Sequence, residues 1–432
     1  MRKIAFLRSI EIQQTVPFLD ALGVALRERG LVGKLFYTDG ECGPDEFPGE
    51  SEKMPAGVSV AETLRRIREW GADGVVSLSI PDENALRDAL VCEQLAAEGI
   101  PTVMHSAAAT GLMANKWETK LKVGAHGLDT PDGVLVDGDL LNSRTLPVPA
   151  YREYLIERAG ELGYPLLSKP LWDCLGNGIR FLANPGDLDG YLDQPYDGNV
   201  VLERCLAGEL CSVEVVGAAG DYVVQPLLWK GPTGGAPTFA FTTVRYTAPR
   251  AEADERFEPV AERLKRLCAA LEVTGSVEVE MIYVDGRYEI IEINPRVSGS
   301  TSLSIAASGL NTYVALLDIL FGQWGQRRGA TAGSAQRIAM QFPTTPLSAA
   351  ADADIRATLA VVRSSSFTID GTRYANMVIT CEYADVDALG AHLDELNRRH
   401  GFLTPQVRAA VDDVLAGVRA PRATADPALA QS

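Results

Sequence analysis

Three candidate metal-binding side chains lie within one segment of alternating apolar residues, residues 277–296. Two alternating apolar segments flank an Asp-Gly dipeptide, which is typical of the tight turn in a β-hairpin. Glu280 lies on the first segment, and Glu292 and Asn294 lie on the second. Buried carboxylates need a partner, and such oxygens are the ligands that Mg²⁺ takes alongside phosphate groups. The pattern predicts a metal-binding hairpin, and the alternative is a half-exposed hairpin with a merely hydrated polar face.

The register of this hairpin decides whether one metal ion can reach both carboxylates. Side chains alternate between the two faces of a strand, so a shift of one residue moves a whole set across. A two-residue loop would place Glu280 and Glu292 on opposite faces. A three-residue loop, Val284-Asp285-Gly286, would place them on one face, with the glycine in a left-handed bulge. The metal hypothesis therefore predicts the longer loop.

Cationic side chains and a glycine-bearing loop offer a place for phosphate groups. Arg296 closes the hairpin segment and can present a bidentate fork to a phosphate or carboxylate. Lys116 lies near the start of a helix pattern, and Lys169 ends an apolar strand before a loop with Gly176 and Gly178. Backbone N–H groups in such a loop can cradle phosphates. The alternatives are an exposed helix lysine for Lys116 and an ordinary strand-end lysine for Lys169.

A third segment, residues 200–216, combines two strand patterns with acidic residues at their junction. The first strand ends at Glu203, and the residues up to Leu206 can act as a hinge whose backbone faces an adenine edge. A carboxylate such as Glu209 could bind ribose hydroxyls. The alternative is an amphipathic strand pair in which Glu203 and Glu209 are simply solvated.

The elements that position these residues follow an α/β pattern at the start of the chain. Strand patterns cover residues 3–7, 35–37, 74–80 and 102–105, and helix patterns cover residues 15–30, 59–70 and 82–97. This alternation predicts a parallel sheet with helices on its faces. The sequence has neither a GxGxxG nor a GxxxxGK[ST] motif, so neither a dinucleotide fold nor a P-loop is supported.

The rest of the chain predicts an α/β and α+β multidomain protein. Paired strands with Gly-rich turns replace the α/β rhythm from residue 109 to residue 330, and a C-terminal α+β portion follows at residues 331–418. Residues 419–432 are rich in Pro and Ala and predict a disordered tail.

Composition excludes some classes of function. The formal net charge of −17 argues against a nucleic-acid partner, although a bound nucleotide needs only local cations and a metal. Seven cysteines without a CxxC pair predict reduced thiols and a cytoplasmic location. No stretch approaches the roughly 20 apolar residues of a membrane span, so no membrane partner is expected. A homodimer is left open.

The order of these motifs resembles the ATP-grasp superfamily, which includes biotin carboxylase, D-alanine–D-alanine ligase and the L-amino-acid and peptide ligases. The resemblance rests on Lys116, Lys169 with its glycine loop, Glu203, and Glu280 followed by the EINPR run, and it covers roughly residues 100–320. It implies an ATP-grasp fold with an N-terminal preATP-grasp αβ domain at residues 1–108. An ATP-grasp domain would span residues 109–330, with a lid at roughly residues 165–205.

The resemblance also implies a role for each candidate residue. Lys116 and Lys169 would contact ATP phosphates, and Glu203 with Leu206 would hold adenine. Magnesium, or manganese, would be bound by Glu280, Glu292 and Asn294. Arg296 would contact the transferring phosphate or the acyl phosphate, and the lid around residues 175–179 would exclude water.

Two further positions depend on the same resemblance. Relatives often contact the acceptor substrate through the loop that corresponds to residues 229–249, where Lys230 and Arg245 are candidates for binding a carboxylate. The alternative is a flexible loop with solvated cations. Many relatives place a Glu two residues before the hinge-strand Ser or Thr, but Leu210 stands there in this chain, which leaves the ribose role of Glu209 open.

The implied activity is an ATP-dependent ligase that activates a carboxylate as an acyl phosphate and joins it to an amine, with release of ADP and phosphate. Its partners would be small-molecule carboxylates and amines. A biotin-pathway or purine-pathway carboxylase or ligase and a non-catalytic nucleotide-binding regulator are the alternatives.

Overall fold

The structure is a computed structural model that describes residues 2–9, 16–173, 176, 178–235, 243–328, 337–369 and 372–419. Its described residues form three sheets, of five, four and nine strands. The predicted tail lies outside the described residues except for Arg419.

The N-terminal sheet is parallel, as the α/β pattern predicted, with strand order β3-β2-β1-β4-β5. Its strands are β1 (Arg2–Arg8), β2 (Leu31–Tyr37), β3 (Glu50–Lys53), β4 (Gly74–Ser77) and β5 (Thr102–Val103), and its helices are α1 (Val16–Glu28), α2 (Val60–Trp70) and α3 (Asp82–Ala97). Ser59 caps α2 by accepting the Glu62 N–H, as its S-x-x-E sequence indicates. The direction in which successive strands are added reverses between β1 and β4, which is where open α/β sheets bind ligands.

The second sheet is antiparallel and has the order β6-β9-β7-β8. The elements of this region are α4 (Ala107–Ala114), α5 (Lys116–Ala125), β6 (Gly133–Val136), α6 (Gly138–Leu141), α7 (Ala150–Leu162), β7 (Leu166–Pro170), β8 (Arg180–Leu182), α8 (Pro185–Asp193) and β9 (Val200–Arg204). Asn115 caps α5 by accepting two backbone N–H groups. That cap fixes the position of Lys116 at the first residue of the helix.

The third sheet runs through the rest of the chain in the order β15-β14-β10-β12-β13-β16-β18-β17, with β11 beside β10. Its strands are β10 (Glu209–Ala218), β11 (Asp221–Val224), β12 (Leu228–Pro232), β13 (Arg245–Thr247), β14 (Gly275–Val284), β15 (Arg287–Asn294), β16 (Arg337–Pro343), β17 (Ala360–Ile369) and β18 (Thr372–Glu382). The strands after residue 331 thus extend the same sheet that carries the predicted hairpin.

The helices of this region pack against the sheet or against one another. They are α9 (Ala251–Ala270), α10 (Thr301–Ser308), α11 (Thr312–Leu320), α12 (Trp324–Arg328), α13 (Ala349–Thr358), α14 (Val386–His400) and α15 (Pro405–Arg419). Apolar residues of β10, β14 and β15 form a buried core with α9. No single helix in the described ranges is long and apolar enough to cross a membrane, although α10 and α11, bent by 92°, meet that test as a pair.

The register of the β14–β15 hairpin corrects the predicted loop. The loop has two residues, because Val284 pairs with Arg287, and Asp285 and Gly286 both have positive φ. Asp and Gly both tolerate that backbone conformation, so the shorter turn forms without a large penalty. The prediction of a three-residue loop was therefore wrong.

The two carboxylates nevertheless share a face. The register shifts between Glu280 and Met281, where Ile291 is passed over, and Glu280 then pairs directly with Glu292. The bulge adds one residue to β15, which brings Glu280 and Glu292 to the same face of the hairpin despite the two-residue loop. Glu278 pairs with Asn294 on the same face.

Candidate active site

The polar face of the hairpin lies against buried lysines. Lys230 on β12 contacts Glu278 Oε1 at 2.8 Å and Glu280 Oε1 at 2.6 Å. Burial opposes ionisation of Glu278, but attraction to Lys230 outweighs it and lowers the pKa of this carboxyl to about 2. Burial and repulsion from neighbouring carboxylates raise the pKa of Glu280. The two neighbouring carboxylates therefore differ in proton affinity, although Lys230 contacts both of them.

Lys116 joins the hairpin to the segment that follows β7. Its Nζ lies 3.1 Å from Glu292 Oε2 and 3.4 Å from Asp173 Oδ1. Only 7% of the lysine is exposed, which rules out an exposed helix lysine. Burial opposes protonation, but attraction to Glu292 and Asp173 outweighs it and raises the pKa of Lys116. The lysine thus remains charged at the centre of the site.

Glu203 anchors a second pair of lysines. Its Oε1 lies 2.6 Å from Lys169 Nζ, and its Oε2 lies 3.1 Å from Lys120 Nζ. Burial opposes ionisation of Glu203, but the two cations outweigh it and lower the pKa of the carboxyl. Glu203 is only 3% exposed, so the alternative of a solvated carboxylate is wrong. Its proposed role at an adenine edge remains a prediction.

The hinge after β9 lies beside an open cavity of about 470 Å³. Leu206 is buried, and its carbonyl accepts a hydrogen bond from Thr233 Oγ1 at 2.8 Å. Glu209 lines the cavity, but its Oε2 already accepts a hydrogen bond from Arg250 Nη1 at 2.7 Å. Arg250 in turn stacks 3.8 Å over the Trp229 ring. A ribose contact to Glu209 would therefore compete with this arginine.

Arg296 is held in place by the N-terminal domain. Its Nε lies 2.5 Å from Asp82 Oδ1 at the start of α3, and its Nη2 donates to Asn294 Oδ1 at 3.0 Å. The guanidinium therefore connects α3 to the hairpin that carries Glu292. The contacts with Asp82 and Asn294 fix the orientation of the Arg296 guanidinium before a substrate binds.

The remaining predicted residues lie at the edges of this region. Gly176 and Gly178 both have positive φ, and a Cβ at Gly178 would come within 2.8 Å of Pro170 Cγ. The predicted lid at residues 175–179 includes Leu175 and Asn177, which lie outside the described residues. Arg245 is half-buried. It lies beside the loop that follows the hairpin, since its Nη1 would be 4.0 Å from a Cβ built on Gly299.

The donor set fits a hard divalent cation, although its ligand roles remain predictions. Two carboxylates and one amide oxygen share one face of the hairpin. Within the described ranges, no group of three or more His, Cys, Asp or Glu side chains is arranged to hold a metal ion. In this structure Glu280 and Glu292 instead pair with lysines.

Sequence reasoning missed four residues of this site: Asp82, Lys120, Asp173 and Glu278. Lys120 follows Lys116 by one helical turn, so an i, i+4 search from Lys116 would have found it. Glu278 precedes Glu280 by two residues on the same strand, which places both on one face. Asp82 and Asp173 approach through tertiary contacts and have no comparable local signal.

A further carboxylate, Glu214, lies deep in the sheet among hydroxyl groups. Its oxygens accept hydrogen bonds from Ser276 at 2.7 Å, Thr312 at 2.9 Å and Thr301 at 3.0 Å. Burial disfavours the ionised form and raises the pKa of Glu214 to about 7, although these hydroxyl donors partly offset it. Between the unfolded pKa and about pH 7 the native state therefore binds more protons than the unfolded state.

Glu214→Gln is expected to flatten the pH dependence of stability. Because the folded pKa is raised, the wild type loses stability as pH rises from about 4.5 to about 7, by on the order of 3 kcal/mol. Urea unfolding near pH 5.5 and near pH 8 measures more than half of this loss. The exposed Glu258→Gln should retain the wild-type pH dependence. Identical pH profiles for wild type and Glu214→Gln would contradict the prediction.

Comparisons with known proteins identify the class to which this region belongs. Residues 113–300 match the family described as "ATP-grasp domain". These residues include every candidate residue named above from Lys169 to Arg296, together with Lys116. The part of the chain that carries the candidate site is therefore similar to ATP-grasp domains, and the mixed α/β architecture of the chain is that of the ATP-grasp fold.

Two solved structures share this fold at low sequence identity. An L-amino acid ligase from Bacillus licheniformis superposes with a TM-score of 0.66 at 18% identity, covering 91% of this chain and 97% of that structure. The biotin carboxylase domain of a Hydrogenobacter thermophilus 2-oxoglutarate carboxylase, solved with MgADP and bicarbonate, has a TM-score of 0.64 at 14% identity and covers 96% and 95%.

A curated relative that matches this chain is a much longer protein. The carbamoyl phosphate synthase large chain of Agathobacter rectalis is 24% identical over 192 residues, which are 43% of this chain and 18% of that protein. This chain thus aligns with less than a fifth of the relative's length.

Proposed function

We propose that this protein is an ATP-dependent, ADP-forming ligase that activates a substrate carboxylate as an acyl phosphate and joins it to an amine, forming an amide or peptide bond between amino acids or small metabolites. The observation that supports it most directly is the convergence of Lys116, Glu292 and Arg296, contributed by different elements and each held by a buried partner. A site built around phosphate groups needs such preorganised charge more than it needs a nucleophile.

In the proposed first step, an oxygen of the substrate carboxylate attacks the γ-phosphorus of ATP and ADP leaves. Lys116 and Lys169 offset the phosphate charge, and Arg296 binds the transferring group. The amine then attacks the acyl carbon, phosphate leaves with the electron pair of the broken C–O bond, and the amine loses a proton. Glu280, Glu292 and Asn294 would hold Mg²⁺, or Mn²⁺, which when bound neutralises charge on phosphate oxygens.

The second candidate uses bicarbonate as the activated acid, as in a carboxylase of the biotin or purine pathways. The similar TM-scores of the amino acid ligase and the biotin carboxylase domain, 0.66 and 0.64, support keeping both. The fixed charge pattern around Arg296 favours catalysis over a purely regulatory nucleotide site. Small-molecule substrates and a cytoplasmic location belong to the same proposal.

The proposed reaction predicts substrate-dependent release of ADP and phosphate in equal amounts. The purified chain, ATP and Mg²⁺ would be incubated with pairs of amino acids and small amines, and separately with bicarbonate. Chromatography quantifies the nucleotides and mass spectrometry identifies an amide. Release with an amino-acid pair and detection of the amide would support the ligase, whereas release with bicarbonate alone would support the carboxylase. AMP and pyrophosphate as stoichiometric products would refute acyl-phosphate chemistry.

A further inference from the structure

Lys230 lies between two carboxylates of strand β14. Its Nζ is 2.8 Å from Glu278 Oε1 and 2.6 Å from Glu280 Oε1. The side chains of Lys230 and Glu278 are 4% and 6% exposed, so the protein encloses this cation. Glu280 is one of the predicted metal ligands, whereas Glu278 is not. One buried ammonium group therefore links a predicted metal ligand to the carboxylate beside it.

The backbone of β12 contains an irregularity at this lysine. Leu210 of β10 pairs with Gly231 of β12. The next residue of β10, Cys211, pairs with Trp229, so Lys230 is passed over and has no partner on β10. A bulge of this kind changes the direction in which a side chain points, and bulges are common next to active sites. Gly231, directly after the bulge, has φ 102°, which glycine adopts without penalty.

Glu278 holds Lys230 in place independently of Glu280. The carboxylate of Glu278 is itself fixed, because Ser212 Oγ on β10 donates a hydrogen bond to its Oε1 at 3.0 Å. Separating a buried ion pair leaves an uncompensated charge and is strongly unfavourable. Lys230 is therefore expected to stay beside Glu278 whatever binds at Glu280. The positive charge next to Glu280 is a fixed part of the site.

A fixed ammonium group at Glu280 opposes a metal ion in two ways. Like charges repel, and a buried site screens this repulsion poorly. The Lys230 ammonium also donates a hydrogen bond to Glu280 Oε1, which occupies electron pairs that a metal ion would use. Lys116, the cation 3.1 Å from Glu292 Oε2, differs because it is predicted to contact ATP phosphates and lies 3.4 Å from Asp173, its second partner.

We propose that Lys230 is a positioning residue that limits the affinity of this site for a divalent cation by holding Glu280. Glu292 and Asn294 then supply the strong ligands of the chain, and Glu280 contributes only as far as Lys230 releases it. Such a site depends on phosphate oxygens for its remaining ligands, so the metal ion enters and leaves with the nucleotide. This inference rests on the metal site of the proposed function and not on the ligase reaction.

The role of Lys230 is tested by Mn²⁺ binding to the full chain, measured by water-proton relaxation with and without ADP and without other substrates. In Glu278→Gln, Lys230 keeps Glu280 as its one carboxylate partner of the two, and Mn²⁺ should bind about tenfold more weakly. The double variant Lys230→Met/Glu278→Gln removes the pair as a neutral unit and frees Glu280, so Mn²⁺ should bind about tenfold more tightly. A count of charges alone predicts no change in the double variant.

The matched control is the double variant Lys265→Met/Glu262→Gln, which removes an ion pair on α9 whose side chains are 38% and 64% exposed. It should keep the wild-type Mn²⁺ affinity, because an exposed pair on the surface does not hold a metal ligand.

The outcomes separate this proposal from the proposed ligase. Unchanged or weaker Mn²⁺ binding in Lys230→Met/Glu278→Gln, or unchanged or tighter binding in Glu278→Gln, overturns the role of Lys230. Either variant decides the question if the other fails to fold. A lack of Mn²⁺ binding to the wild type and to both variants, with and without ADP, also overturns it. Affinities that move in opposite directions, without ADP formation from any substrate, would support the role of Lys230 and reject the ligase.

Discussion

Replacing Arg296 with alanine is expected to lower kcat for ADP formation by on the order of 10³-fold. A guanidinium aimed at the transferring group stabilises charge that develops only in the transition state, so the loss should fall on kcat more than on KM. Arg296 is fixed by Asp82 at 2.5 Å and by Asn294 at 3.0 Å, which spares it reorganisation during the reaction. Steady-state kinetics with ATP and the identified substrates measures the change.

Two further variants make the Arg296 result interpretable. Arg256→Ala on α9 removes an arginine that is 50% exposed and should leave kcat close to the wild-type value. Asp82→Asn keeps the size of the partner but weakens its hold on Arg296, so a smaller kcat loss of about tenfold is expected. A fully active Arg296→Ala protein would remove this residue from the catalytic step.

The β14–β15 hairpin shows which structural features local sequence rules can predict. Alternation and the Asp-Gly turn were sufficient to predict two strands joined by a tight turn. The position of the bulge at Ile291 could not be derived, because a bulge is set by how both strands pack on their neighbours. The three-residue loop, which a shared face required without a bulge, was therefore wrong, while the predicted shared face of Glu280 and Glu292 was correct.

Charged residues show a second limit. Lys169 and Glu203 lie 34 positions apart in the sequence and form an ion pair at 2.6 Å because β7 and β9 are neighbours in the four-stranded sheet. The predictions recognised both residues but assigned them to separate contacts with ATP. Arg8 and Arg363 were not recognised at all, since nothing in a strand-end arginine or a strand arginine indicates that it is buried. Pairing across sheets requires the tertiary structure.

Removing one hairpin carboxylate is expected to impair metal use by on the order of 10²-fold. Glu280→Gln and Glu292→Gln each delete one negative charge from the predicted Mg²⁺ ligands, and neutral amide oxygens bind hard cations less strongly. Higher Mg²⁺ concentrations should then be needed for half-maximal activity, with a lower kcat at saturation. Paramagnetic relaxation of water by Mn²⁺, measured with ADP present, reports metal binding independently of turnover.

These two substitutions can be interpreted because each leaves the neighbouring lysine with a second carboxylate. Lys230 keeps Glu278 at 2.8 Å when Glu280 is changed, and Lys116 keeps Asp173 at 3.4 Å when Glu292 is changed. The buried cations are therefore not left unpaired, which would otherwise cost about 3–5 kcal/mol and unfold the site. Glu252→Gln, at a side chain that is 77% exposed, is the matched control. Wild-type Mn²⁺ binding in both hairpin variants would show that the shared face of Glu280 and Glu292 serves its lysines rather than a metal.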